Sequence, residues 1–318
     1  MKTSVKPGLS RRRLIQLVAG VAGAGAVSAF AAGAEFSAGM QSASWRGIAL
    51  GAEASMTLLH KDGSKAKRAL EAAVAELRRL EAIFSIYDPA SAVSMLNREG
   101  SLVAPPMELV SLLSIARTIS EATSGYFDVS VQPLWAAASE QEACEHVSLV
   151  DQWRIEFDTK MIKLGSGQAV TFNGIAQGAI TDALGALLRR AGFSDLLLDT
   201  GEIVASGMSP NLDPWQVQLG DEEGPTVALR DRAVATSKPS SPKAHLFDPL
   251  SGRRGALYKS VSVVAKRATL ADGLSTALAV MPEPVWQHTL ANFDGENIRV
   301  FATRVDGSSF EHTAKKPA

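Results

Sequence analysis

The stretch GIAQGAITDALGALLRRAGFSDLLLD, Gly174 to Asp199, reads as one helix running directly into one strand. Ile180, Ala183, Leu184 and Leu187 recur at steps of three and four, which places apolar side chains on one helical face. Gly192 closes that helix, and the apolar run between Asp195 and Asp199 is short enough for a buried strand. Further extended runs follow at Trp215–Leu219, Thr226–Leu229 and Ser260–Ala265, separated by Gly, Pro and Asp turns. Upstream, two helices come in succession. Ser64–Phe84 carries Leu70, Val74, Leu77, Leu80 and Phe84 as its stripe, and Pro106–Thr123 carries Leu109, Leu112, Leu113, Ala116 and Ile119. A last helical pair covers Thr269–Val280 and Pro284–Ala291. Helices and strands thus fall in blocks rather than in strict alternation, and the fold class they define is α+β.

The chain has 318 residues, 46% hydrophobic and 20% charged, enough for one large core or two coupled ones. Its 32 basic and 33 acidic side chains leave no electrostatic footprint for nucleic acid. The single cysteine, Cys144, excludes an internal disulfide and a four-thiolate zinc site. The five histidines show no metal-ligand spacing.

The N-terminus reads as an address. Ser10-Arg11-Arg12-Arg13-Leu14-Ile15-Gln16 precedes a weakly apolar run, rich in Ala, Gly and Val, that ends near Ala32. Paired arginines before such a run resemble a twin-arginine export signal. A membrane anchor is the other reading of a stretch this long. Ala and Gly partition weakly, however, and Ala32-Gly33-Ala34 offers small residues for cleavage. The expected division is a signal over residues 1–34 and one domain over residues 35–318, located in the periplasm.

Four segments carry groups that could do chemistry. Ser85-Ile86-Tyr87-Asp88-Pro89 sets an aromatic after a helix, either as a stacking face or as part of a plain turn. Asn173-Gly174-Ile175-Ala176-Gln177-Gly178 lies between a strand-like Val170–Phe172 and the helix above. It is either a phosphate-holding helix start or a tight connection. His245 stands three residues before Asp248, as a proton acceptor, a hydrogen-bond donor to a phosphate oxygen, or a structural histidine. Asp272 and Thr276 sit four apart on one helical face. That pair of hard oxygen donors suits Mg²⁺, and equally fits a cap and a core-edge hydroxyl.

The order of these segments is more specific than any one of them. Tyr87–Asn97, Phe127–Leu134, Gly174–Gly178, Ala235–Ser237, His245–Gly252 and Ser260–Ala277 together resemble the ApbE family of FAD:protein FMN transferases. The resemblance implies an ApbE-type (T-fold-like) arrangement of mixed sheets packed with helices. It also implies FAD as donor substrate, Mg²⁺ as cofactor, and a threonine or serine hydroxyl of a partner protein as acceptor, with AMP released. By it, Gly174, Asp272 and Thr276 would hold the metal, and His245 and Asp272 would be catalytic. Leu50, Tyr87, Tyr126, Phe127, Asp128, Thr171 and Gln177 would line the FAD site.

The chain departs from the commoner family pattern Asp-Leu-Gly-Gly-Ile-Ala-Lys-Gly-Tyr, which here is Thr171-Phe172-Asn173-Gly174-Ile175-Ala176-Gln177-Gly178-Ala179. Thr171 brings no negative charge and Gln177 no positive one. Leu198-Asp199-Thr200-Gly201-Glu202 departs likewise from Asn-x-Gly-Gly-Asp/Glu. With the twin-arginine leader, this variant resembles the NosX branch, associated with flavinylating a membrane partner of nitrous-oxide respiration. Three other functions share the same features: a non-catalytic FAD-binding or delivery protein, an FAD pyrophosphatase, and a periplasmic binding protein without flavin.

Overall fold

The computed structural model describes residues 39–220, 224–238 and 246–314. The leader and His245 lie outside the described residues. In chain order the regular elements are β1 (Gln41–Ala49), β2 (Ala52–His60), α1 (Gly63–Phe84), α2 (Ala92–Glu99), β3 (Ser101–Val103) and α3 (Met107–Ala122). Then come α4 (Gln132–Ala136), α5 (Glu140–Glu145), β4 (Glu156–Phe157), β5 (Met161–Lys163), α6 (Ala176–Arg190), β6 (Asp195–Asp199) and β7 (Ile203–Ser206). The chain continues through β8 (Trp215–Gln218), β9 (Thr226–Leu229), β10 (Arg232–Ser237), β11 (Tyr258–Ala265), α7 (Ala268–Val280), α8 (Trp286–Ala291), β12 (Arg299–Arg304) and β13 (Ser309–Thr313).

The main sheet has eight strands in the order β1-β2-β6-β7-β10-β11-β12-β13. The α+β class is the one expected, but among the described residues the sheets are antiparallel at every strand pair rather than mixed. Short connections account for much of this. β1–β2, β6–β7 and β12–β13 are joined by a few residues each, too few for the crossover that a parallel pair requires. At the first hairpin, Leu50 and Gly51 form a two-residue turn with φ of 44° and 79°, the left-handed geometry such loops demand.

At β6 both faces of the sheet are covered, which explains why that strand is a continuous apolar run. Leu196 and Leu198 join the large core under the helices, while Leu197 joins a second core with Trp215, Val217, Val227 and Leu229 of the β8–β9 hairpin. On the helical side, α1 lies over β1 and β2, α6 over β6 and β7, and α7 over β10 and β11. α7 is buried along nearly its whole length, including Asp272 and Ser275.

One expectation fails here. Val170–Phe172 is not a strand. The side-chain amide of Asn97 donates to the Val170 carbonyl at 2.8 Å and accepts from its N–H at 2.7 Å, and the Thr171 N–H donates to the Val129 carbonyl. The backbone groups that a ladder would use are already paired.

Candidate active site

The α6 and α7 helices begin side by side and lack side-chain caps of their own. Each is capped by a carboxylate of the other. The Gly178 N–H, in the first turn of α6, donates to Asp272 Oδ2 of α7 at 3.0 Å. The Ala268 and Thr269 N–H groups of α7 donate to Asp182 Oδ1 and Oδ2 of α6, each at 2.9 Å, and Thr269 Oγ1 donates to Oδ2 at 2.6 Å. Orphan donors at a helix start are satisfied this way, and the negative charge opposes the positive end of each helix dipole. The close approach needs Gly178, because a Cβ there would overlap the Ala268 carbonyl.

Around this junction the structure gathers three of the expected oxygen donors. Asp272 is only 2% exposed. Thr276, one turn further along α7, donates from Oγ1 to the Gly174 carbonyl at 3.2 Å. A Cβ at Gly174 would stand 2.9 Å from Thr276 Oγ1, so only glycine lets the turn lie flat on that hydroxyl. One carboxylate, one hydroxyl and one carbonyl are hard donors of the kind a small divalent cation takes together with water and substrate oxygens. Among the described residues, no group of three or more His, Cys, Asp or Glu side chains could hold a metal ion. This set therefore differs from an all-carboxylate or histidine cage.

The remaining site candidates divide. Gln177 lies on the Thr200-Gly201-Glu202 turn, where Gly201 has φ +105° and a Cβ would overlap the glutamine amide. Tyr87 is 73% exposed on the loop after α1, with its N–H donating to Ser85 Oγ at 3.1 Å. That loop is tied to the site through Phe84, whose ring packs 6.1 Å from Phe172, two residues before Gly174. Thr171 is buried, and its hydroxyl accepts from the Asn173 N–H at 3.3 Å. Tyr126 is half-buried against the core.

Phe127 and Asp128 face inward. Phe127 is 4% exposed in the main core. The Asp128 carboxylate accepts from Ser130 N–H at 2.7 Å, Ser130 Oγ at 2.6 Å and Gln152 N–H at 3.1 Å. Burial nevertheless pushes its carboxyl above the ordinary value, outweighing those donors. Leu50 belongs to the first hairpin, with its N–H donating to Glu81 Oε1 of α1 at 2.6 Å.

Two features escape a reading of the sequence. Asp182 and Asn97 hold the helix starts and the Gly174 turn in place, yet each finds its partner far along the chain. A cavity of about 280 Å³ lined by Ser260, Ser262, Phe301 and Phe310 shares none of the site residues.

Fold and site together define an α+β protein with an oxygen-donor cluster at two interlocked helix starts. The ApbE family model matches residues 50–301, and the chain belongs to the ApbE family. A relative from Haemophilus influenzae, FAD:protein FMN transferase, is 27% identical over 248 residues, covering 65% of this chain and 70% of its own. One of the same name from Vibrio cholerae is 26% identical over 234 residues, covering 63% and 69%. In architecture the chain is similar to the Pseudomonas stutzeri flavinyl transferase ApbE in its apo form. That match has a TM-score of 0.75 and 24% identity over 87% of this chain and 95% of the other. The flavin transferase ApbE from Vibrio cholerae matches at a TM-score of 0.75 with 20% identity over 87% and 98%.

Proposed function

We propose that this chain transfers the FMN half of FAD to a serine or threonine hydroxyl of an exported acceptor protein and releases AMP. The observation that carries this reading is the gathering of the Asp272 carboxylate, the Thr276 hydroxyl and the Gly174 carbonyl at the start of α6. The family's curated relatives named FAD:protein FMN transferase support it.

The acceptor oxygen bonds to the FMN-side phosphorus as the bond from that phosphorus to the bridging oxygen breaks. AMP leaves with the bridging oxygen, and the hydroxyl proton passes to a base. Such a displacement asks the protein mainly for placement and charge neutralisation. Asp272, Thr276 and Gly174 would hold Mg²⁺, which when bound neutralises charge on the diphosphate oxygens. The α6 start is already capped by the Asp272 carboxylate, so phosphate charge there would be met through the cation. Tyr87 offers its exposed ring to the isoalloxazine, with Tyr126 and Leu50 on the flavin side and Phe127 and Asp128 supporting that segment from the core. Thr171 and Gln177 are neutral, which leaves charge compensation to the cation. His245 is assigned as the base or orienter of the acceptor hydroxyl. His245→Ala retaining the full transfer rate would remove that role.

The twin-arginine leader belongs to the same proposal: the enzyme acts in the periplasm on an exported or membrane-anchored flavoprotein, with the nitrous-oxide respiration system as the first place to look. Incubation with FAD, Mg²⁺ and an acceptor peptide tests the activity. AMP released in step with a flavin mass gain on the peptide is expected. Free FMN with unmodified peptide indicates a pyrophosphatase, and unreacted bound FAD indicates a binding protein; either overturns the transfer reading.

A further inference from the structure

We infer that Asp182 is a positioning residue that sets the geometry of the Asp272 carboxylate, an inference that rests on the proposed metal role of Asp272. The two helices meet through the same spacing. Gly178 and Asp182 are four apart on α6, Ala268 and Asp272 are four apart on α7, and each carboxylate accepts from the N–H of the other helix's small residue. Asp182 takes three donors from the first turn of α7, all at 2.6 to 2.9 Å. Asp272 lies one turn beyond that grip, buried, with Oδ2 on Gly178. With Gly178 in contact with the Ala268 carbonyl, there is no slack through which α7 could slide along α6 without moving Asp272. Two turns into α7, the Thr276 hydroxyl donates to the Gly174 carbonyl in the turn before α6, so this contact also depends on how the two helices are seated.

Removing the Asp182 grip therefore shifts Asp272 relative to Gly174. Partners that orient metal-binding groups change affinity by about 10- to 100-fold when removed. In Asp182→Asn, one side-chain atom becomes a donor facing donors. Thr269→Val removes a single hydrogen bond and leaves the backbone caps.

The test is a titration of the purified protein with Mn²⁺ in the presence of ADP, followed by the Mn²⁺ paramagnetic resonance signal. Wild type, Asp182→Asn, Thr269→Val and Asp272→Asn are compared below their melting temperatures. The expected result is a Kd raised about tenfold in Asp182→Asn and less in Thr269→Val. The Mg²⁺ concentration for half-maximal transfer should rise in parallel, and kcat should be restored at saturating Mg²⁺. A merely structural role would lower the melting temperature and leave the Kd alone. Wild-type Kd in Thr269→Val and in any folded Asp182→Asn overturns the positioning role. A wild type that binds Mn²⁺ no better than Asp272→Asn overturns the metal reading itself, and this inference with it.

Discussion

Asp272 on α7 accepts the Gly178 N–H of α6 at 3.0 Å, so the carboxylate proposed above to hold the metal is also the cap of the neighbouring helix. The two roles are compatible, because a carboxylate has more acceptor sites than one amide uses. They also make Asp272 sensitive to substitution in two separable ways.

Asp272→Asn keeps the size of the side chain and removes the charge. The expected outcome is loss of transfer by at least about a hundredfold, from loss of an ionised ligand at the reacting phosphates. A stability loss of about 1–3 kcal/mol is expected from the weakened charge-assisted cap in a buried site. AMP release and urea unfolding measure the two separately.

Gly178→Ala discriminates between an ordinary helical glycine and a contact point. In an open helix this change stabilises by about 0.5–1 kcal/mol. Here the added methyl overlaps the Ala268 carbonyl, so unfolding measurements should give a loss of about 1–3 kcal/mol. The sign alone decides.

Thr276 is tested by a pair of variants. Thr276→Ser keeps the hydroxyl that donates to Gly174 and should retain transfer within a few-fold. Thr276→Val, similar in shape, should lose it by about tenfold or more and leave the Gly174 carbonyl without its partner. The ratio of the two rates at limiting Mg²⁺ is the measurement.

Asp128 predicts a pH dependence. Burial raises its carboxyl above the ordinary 3.8, so on acidification the folded chain takes up this proton before the unfolded chain does. Between 3.8 and the raised value the folded state binds more protons, and the residue's contribution to stability falls as pH rises through that window. The gap in unfolding free energy between wild type and Asp128→Ala should therefore be widest at acid pH, narrow through the window, and stay constant above it.

Much of this fold is legible in the sequence because the helices bury simple stripes. Ser64–Phe84 and Thr269–Val280 differ from α1 and α7 by one residue at their starts. The β1–β2 hairpin is not legible in the same way. β1 is an edge strand whose outer face meets solvent, and its Gln-Ser-Ala-Ser start carries little apolar signal. Val170–Phe172 reads as a strand by composition, but the Asn97 amide takes its backbone groups, and that pairing spans 73 positions. The strand order that seats β6 between β2 and β7 is equally non-local, and no local pattern in the sequence states it. At the site, Asp272 and Thr276 are visible as a spaced pair. The matching pair Gly178 and Asp182 lies equally open in the sequence, but its meaning appears only when α6 meets α7.

In the proposed reaction FMN moves covalently from FAD to a partner protein by way of the Asp272 site. Intact-mass measurement of a candidate periplasmic acceptor, co-expressed with wild type or with Asp272→Ala, addresses it most directly. The account predicts an acceptor heavier by one FMN residue with wild type and an unmodified acceptor with Asp272→Ala. Equal flavin occupancy with both would contradict it.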